Sequence, residues 1–216
     1  MCFSATASLI AGGTLSTVGV LTISKAKNKR ELPFASIPLL FGIQQLIEGV
    51  VWLSFGNSAL NGIATYGFSM FSHVLWPIFV PIAILLLEKD LVRRRILQVF
   101  TGVGLAVGIF LLYFIIQDGI TSQVVNKSIF YNSSHLYLPL VLTLYVLATC
   151  VSFLISSDKI INIIGIVMLG SFTVTGLLFS VTFISVWCFF AAIMSFMIFS
   201  YFRSSNVNKV IGVKHN

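Results

Sequence analysis

Residues 41–53, FGIQQLIEGVVWL, and residues 69–81, SMFSHVLWPIFVP, are two apolar runs of the same character, each interrupted by a few strongly polar side chains. A bilayer core about 30 Å thick needs about 20 apolar residues of helix, and each run belongs to a segment of that length. The runs are continuous and do not alternate, so they read as membrane helices and not as barrel strands. Working outward, the same reading extends over seven spans at about 6–24, 33–54, 63–87, 96–117, 135–155, 160–183 and 184–202, with a basic tail over 203–216 expected to be disordered. The expected fold class is therefore all-α: a polytopic integral membrane protein whose residues 1–202 form one seven-helix transmembrane domain.

Composition agrees. Only 9% of residues are charged and 57% are hydrophobic, with a mean hydropathy of +1.02, whereas a soluble domain carries roughly 25% charged residues. The net charge of +7 would invite a nucleic-acid reading if it were spread over a surface, but it is not. Lys25, Lys27, Lys29 and Arg30 follow span one, Lys89 and Arg93 to Arg95 follow span three, Lys159 follows span five, and Arg203, Lys209 and Lys214 follow span seven. Of the 13 basic residues only Lys127 falls in the opposite register. This is the positive-inside pattern, which predicts the N-terminus outside and the C-terminus in the cytoplasm, with the lipid bilayer as the partner and no nucleic acid. Span one has no basic region before it and no small-residue cleavage site after it, so it reads as a retained helix. Cys2, Cys150 and Cys188 form no spaced cluster, so neither a disulfide framework nor a zinc ribbon is indicated.

The polar interruptions carry the functional reading. In span two, Gln44, Gln45, Glu48 and Trp52 recur at helical spacing on one face. In span three, Ser69, His73 and Trp76 do the same. A carboxylate in hydrocarbon is costly unless it is paired, hydrated or protonated, so Glu48 needs a partner and His73 is the candidate. On the topology above, Cys2, Gln44, Gln45, Glu48, Ser69, His73, His135 and Cys188 all fall in the outer half of the membrane. An outward-facing polar pocket for a small polar ligand is the expectation, with Gln44, Gln45, Glu48, Ser69, His73 and Trp76 as its binding residues. A divalent metal is the cofactor such a site would take, with Glu48, His73, His135 and Cys2 as ligands. Removal of Met1 would place an α-amine beside the Cys2 thiol, a chelating and nucleophilic pair. The bland reading of Glu48 and His73 is a polar contact that pins two helices.

Pro77 lies four residues after His73, so its ring should clash with the His73 carbonyl and leave that oxygen free, kinking the helix beside the imidazole. Pro81 should do the same to the carbonyl of Pro77. Ser-His-x-x-x-Pro occurs at 72–77 and again at 134–139, which would fit a parallel repeat of spans three and five. Gly104 and Gly108 form a GxxxG pair that either packs span four within the chain or makes a homo-oligomer. Asn126 and Asn132 head two sequons in the longest loop. No HExxH, phosphate-binding loop, dinucleotide fingerprint or serine elbow is present.

The opening MCFSATAS, the block LPFASIPLLFGIQQLIEGVVW and the segment SHVLWP together resemble a functionally uncharacterised family of small bacterial multi-pass membrane proteins that open with Met-Cys-Phe-Ser. That resemblance covers roughly the first 80 residues and implies topology and a bacterial inner-membrane location, with no catalytic or binding roles to carry over. The seven-helix plan is also similar to ceramidase-type membrane hydrolases and to the sugar transporters with proline-glutamine motifs. The histidine pair on the last helix and the Pro-Gln dipeptides are missing here. Three readings stay open: a ligand-binding, transporter- or receptor-like protein with Pro77 and Pro81 as a hinge; a membrane-embedded metal-dependent hydrolase using Glu48, His73 and His135 or Cys2; and a structural or assembly subunit.

Overall fold

The computed structural model describes residues 4–125, 127–133, 135–136, 138–178 and 183–210, and within the last helix the side chains of residues 187, 190 and 193–204. Cys2, His215, the sequon residues Asn126 and Ser134, and the side chain of Cys188 lie outside the described residues. The described residues form seven helices and one hairpin: α1 (Ala5–Ile23), α2 (Leu32–Leu53), α3 (Ser58–Leu87), α4 (Leu91–Asp118), β1 (Thr121–Val125), β2 (Ser128–Asn132), α5 (Pro139–Ile155), α6 (Lys159–Leu178) and α7 (Phe183–Val210). Five of them, α1 to α4 and α6, are long and apolar enough to cross a membrane.

Side chains that bond the first-turn N–H groups mark several starts. Ser4 accepts from Ala7 N at 3.2 Å, Asn57 from Leu60 N at 3.1 Å and Asp90 from Arg93 N at 2.8 Å. The Asn57 cap is why α3 begins at Ser58, ahead of the start expected from sequence at about residue 63. The Asp90 cap likewise draws the arginines 93–95 into the first turn of α4. At the far end α7 continues as helix to Val210, through residues expected to form a disordered tail.

Helices α1 and α2 form an antiparallel pair held by glycine sockets. A Cβ added to Gly12 would meet Leu46, to Gly19 Leu39, to Gly42 Ser16 and to Gly49 Leu9, all closer than 3.0 Å and so in steric overlap. Stepping 9, 12, 16, 19 along α1 matches stepping 49, 46, 42, 39 along α2, a single unbroken register. Small residues allow this approach, which raises the number of dispersion contacts between the two helices.

Helix α4 lies on α3 through the GxxxG pair. Pro81 has no N–H to give the carbonyl of Pro77, and that oxygen lies where a Cβ on Gly104 would be, with Ala148 of α5 alongside. Gly108 faces Ile78 and the carbonyl of Val74. Both glycines therefore serve contacts inside the chain.

The chain is not all-α: the α4–α5 connection holds a two-stranded sheet. Helix α4 ends at Gly119, whose φ of 74° suits a residue without a Cβ. The chain then pairs Thr121 with Asn132 through Val125 with Ser128 in an antiparallel hairpin. Ser128, Ile129 and Tyr131 are buried, and Tyr131 stacks on Phe68 of α3 at 4.3 Å. Ser122 Oγ bonds with Thr65 at 2.8 Å and with Asn61 at 3.2 Å, so the hairpin is fastened to α3 as a plug.

At the opposite, basic end the α3–α4 and α5–α6 loops are clasped. The Glu88 carboxylate accepts from Ser157 N at 2.6 Å, Ser157 Oγ at 2.8 Å, Lys89 N at 2.8 Å and Asp90 N at 2.9 Å. Arg93 donates to the carbonyls of Ile155 and Ser156, and Asn162 to those of Phe153, Leu154 and Ser156, closing the end of α5.

Candidate functional site

The site is built where α3 leaves α-helical geometry. Residues Met70–Leu75 form a π-helical segment between α-helical Ser58–Ser69 and Trp76–Leu87. In the π register an N–H bonds five residues back, and Trp76 N donates to the Phe71 carbonyl. The next donor in that register would be residue 77, but Pro77 has none, so the Ser72 carbonyl is left over. Tyr145 of α5 fills the gap, its hydroxyl donating to Ser72 O at 2.6 Å. The sequence reading placed the freed carbonyl on His73; the extra residue in the turn moves it back by one. A second π segment, Leu147–Val151, interrupts α5 beside it, where the Thr149 hydroxyl bonds the Tyr145 carbonyl and the Ser152 hydroxyl bonds that of Ala148.

Between these two π segments runs a narrow cleft. Its walls are Phe41 and Gln44 of α2, Ser72, Trp76 and Val80 of α3, Leu136 before α5, Leu142, Tyr145, Thr149 and Phe153 of α5, Met168 of α6, and Trp187 and Met194 of α7. Its cavity volume is only about 40 Å³. One water needs roughly 10–15 Å³ in that measure, so the cleft is thin. Phe41 stacks on Trp76 at 4.0 Å and 23°, and Trp76 Nε1 donates to Gln44 Oε1 at 2.7 Å. On the far wall Trp187 Nε1 donates to Ser171 Oγ at 3.0 Å, and its ring meets Tyr145 and Phe172 edge-on.

The residues expected from sequence divide. Gln44 and Trp76 line the cleft. Gln45, Glu48, Ser69 and His73 do not; they are at most 1% exposed and form a sealed polar layer beside it. On its own helix, Gln45 Nε2 donates to Glu48 Oε2 at 3.1 Å. His73 makes no ion pair with Glu48; its Nδ1 is bonded with Ser72 Oγ at 2.8 Å. Three buried atoms of the layer, Gln45 Oε1, Ser69 Oγ and His73 Nε2, lack a hydrogen-bond partner among the described residues. The layer is thus a closed interior, unlike the open pocket expected. Ser72, whose Oγ bonds His73, also lines the cleft.

His135 is placed elsewhere. It stacks on Phe114 of α4 at 3.7 Å and approaches Asp118 at 3.5 Å, in a hollow with Asn132 and Ser133. It precedes α5, which starts at Pro139, so the second Ser-His-x-x-x-Pro sits ahead of a helix while the first is embedded in one. The two copies are not structurally equivalent. Among the described residues no group of three or more His, Cys, Asp or Glu side chains is placed to hold a metal, and Cys2 lies outside them. Of the expected ligands, the described ones are not grouped: His73 is buried in α3 and His135 lies against Phe114 and Asp118.

Sequence reasoning missed Tyr145, Ser72 and Thr149. Tyr145 was visible as a phenol in mid-run, a group that seeks a partner when buried in an apolar helix. No curated protein and no solved structure matches the chain. A family model does match, over residues 1–211, and the chain belongs to that family of unknown function, DUF6629.

Proposed function

We propose that this is a multi-pass membrane protein, its N-terminus outside and its basic end in the cytoplasm, that takes a slender apolar molecule with a polar end into the cleft between α2, α3, α5, α6 and α7. The role is transporter- or receptor-like. The observation that carries the reading is the cleft itself: a thin aromatic slot flanked by two π segments, with Gln44, Ser72, Tyr145 and Thr149 as its few polar groups. Ligand sites are mostly apolar with a small number of placed polar groups, and π turns concentrate at functional sites. A slot this thin suits a methylene chain or a flat ring over a hydrated solute.

Tryptophan fluorescence tests this. Trp76 and Trp187 line the cleft while Trp52 does not. A brominated long-chain alcohol titrated into detergent-purified protein should quench fluorescence saturably, with relief by the unbrominated alcohol. The saturable part should vanish in the Trp76→Phe/Trp187→Phe double variant. Quenching that never saturates, or that is unchanged in the double variant, overturns the reading.

A further inference from the structure

A second feature, independent of the cleft, lies at the basic end. Between the α1–α2 loop and the last turn of α3 is an open groove of about 480 Å³. Its charged lining comprises the cations Lys29, Arg30 and Lys89 and the carboxylates Glu31 and Glu88. Simple counting gives a weak surplus of positive charge, but the two signs are not equally engaged. Glu31 Oε2 accepts from Lys27 N at 2.7 Å and Oε1 from Asn28 Nδ2 at 2.6 Å. Both oxygens of Glu88 are taken by Ser157, Lys89 N and Asp90 N. The side chains of Lys29, Arg30 and Lys89, by contrast, make no hydrogen bond or ion pair with described residues. They come from two different loops that share one hollow. The Glu88 carboxylate is buried and the Glu31 carboxylate is held by its own loop, while Lys29, Arg30 and Lys89 are exposed at the groove.

The remaining wall is Leu86 and Leu87, half-buried at the end of the apolar α3. A soluble anion has no use for that surface. A phosphodiester on a glycerol backbone does, because its acyl chains run along such residues while its phosphate stays at the headgroup level. Basic pockets at the cytoplasmic ends of membrane helices recognise headgroups in this way.

We infer that the groove formed by Lys29, Arg30 and Lys89 above Leu86 and Leu87 is a binding site for an anionic phospholipid, held by its phosphate. Native mass spectrometry of the full chain released from detergent, with phosphatidylglycerol or phosphatidylcholine added, tests it. Phosphatidylglycerol should be retained at least about tenfold more tightly. Each of Lys29→Ala, Arg30→Ala and Lys89→Ala should weaken it about fivefold, the effect of about 1 kcal/mol per cation at a membrane surface. Arg95→Ala removes an exposed cation at the same end but outside the groove and should leave retention unchanged. A thermal unfolding midpoint in phosphatidylcholine that matches the wild type shows each variant is folded, and Lys29→Gln, Arg30→Gln and Lys89→Gln serve where an alanine variant is not. Equal retention of both lipids overturns the inference, as does equal weakening by Arg95→Ala, which would mean diffuse attraction. Complete displacement of the lipid by millimolar inorganic phosphate also overturns it, assigning the groove to a soluble anion.

Discussion

At the scale of single residues, the two glycines at 102 and 104 have the same chemistry and opposite surroundings. Gly104 is pressed against the carbonyl oxygen that Pro81 deprives of a partner, and a Cβ there would overlap it, whereas a Cβ on Gly102 would meet nothing within 4 Å. Gly104→Ala should therefore destabilise the protein by at least about 1–3 kcal/mol, through overpacking against backbone that cannot turn aside. Gly102→Ala should stabilise it by about 0.5–1 kcal/mol, through helix propensity alone. Unfolding in mixed detergent micelles would show the pair moving in opposite directions. The GxxxG spacing was readable from the sequence, and so was the proline that frees the carbonyl. That the two meet was not, because it depends on how far α4 slides along α3.

At the scale of an element, the π segment of α3 is the feature that sets the site, and it is one that periodicity hides. Ser69, His73 and Trp76 read as one α-helical face, but one extra residue in the turn rotates everything after Met70. That rotation turns Ser72 and Trp76 to the cleft while His73 stays in the sealed layer. Proline announced a disturbed hydrogen-bond ladder; which carbonyl was left over could be told only from the register. Tyr145→Phe removes the hydroxyl that satisfies the Ser72 carbonyl and leaves a buried acceptor unpaired. A loss of about 1–3 kcal/mol is expected. Faster hydrogen exchange confined to residues 70–76 and to the facing part of α5 would be its local signature. Exchange that quickened uniformly over all helices would argue against a specific brace.

At the scale of the whole molecule, the helices were legible because long apolar runs and basic loops are properties of composition, which packing does not alter. The hairpin was not legible, since TSQVV and SIFYN are short, partly polar and surrounded by loop-forming residues. The closed state of the Glu48 layer was equally out of reach: polar spacing shows that a helix face is buried but not whether water can enter. The clasp at the basic end ties the two halves of the bundle together and gives stability a pH dependence. Burial works to raise the Glu88 pKa, but the hydrogen bonds from Asp90, Ser157 and Lys89 outweigh it and hold the carboxyl below its ordinary value of 4.5. A group held low in the folded state stabilises fully above that value and loses its contribution as the pH falls through the folded-state pKa. Glu88→Gln should cost about 1.5–3 kcal/mol at neutral pH. The variant and the wild type should converge in unfolding midpoint below pH 4.5, whereas a constant gap at all pH values would exclude the carboxylate as the source. The glycine sockets of α1 and α2 act at this scale too. Because Gly12, Gly19, Gly42 and Gly49 index the two helices against each other at four successive levels, the turn that joins them carries no information about alignment. The segment between Ser24 and Arg30 is therefore a tether and not a ruler, and extra residues can be spliced into it without the helices losing their place.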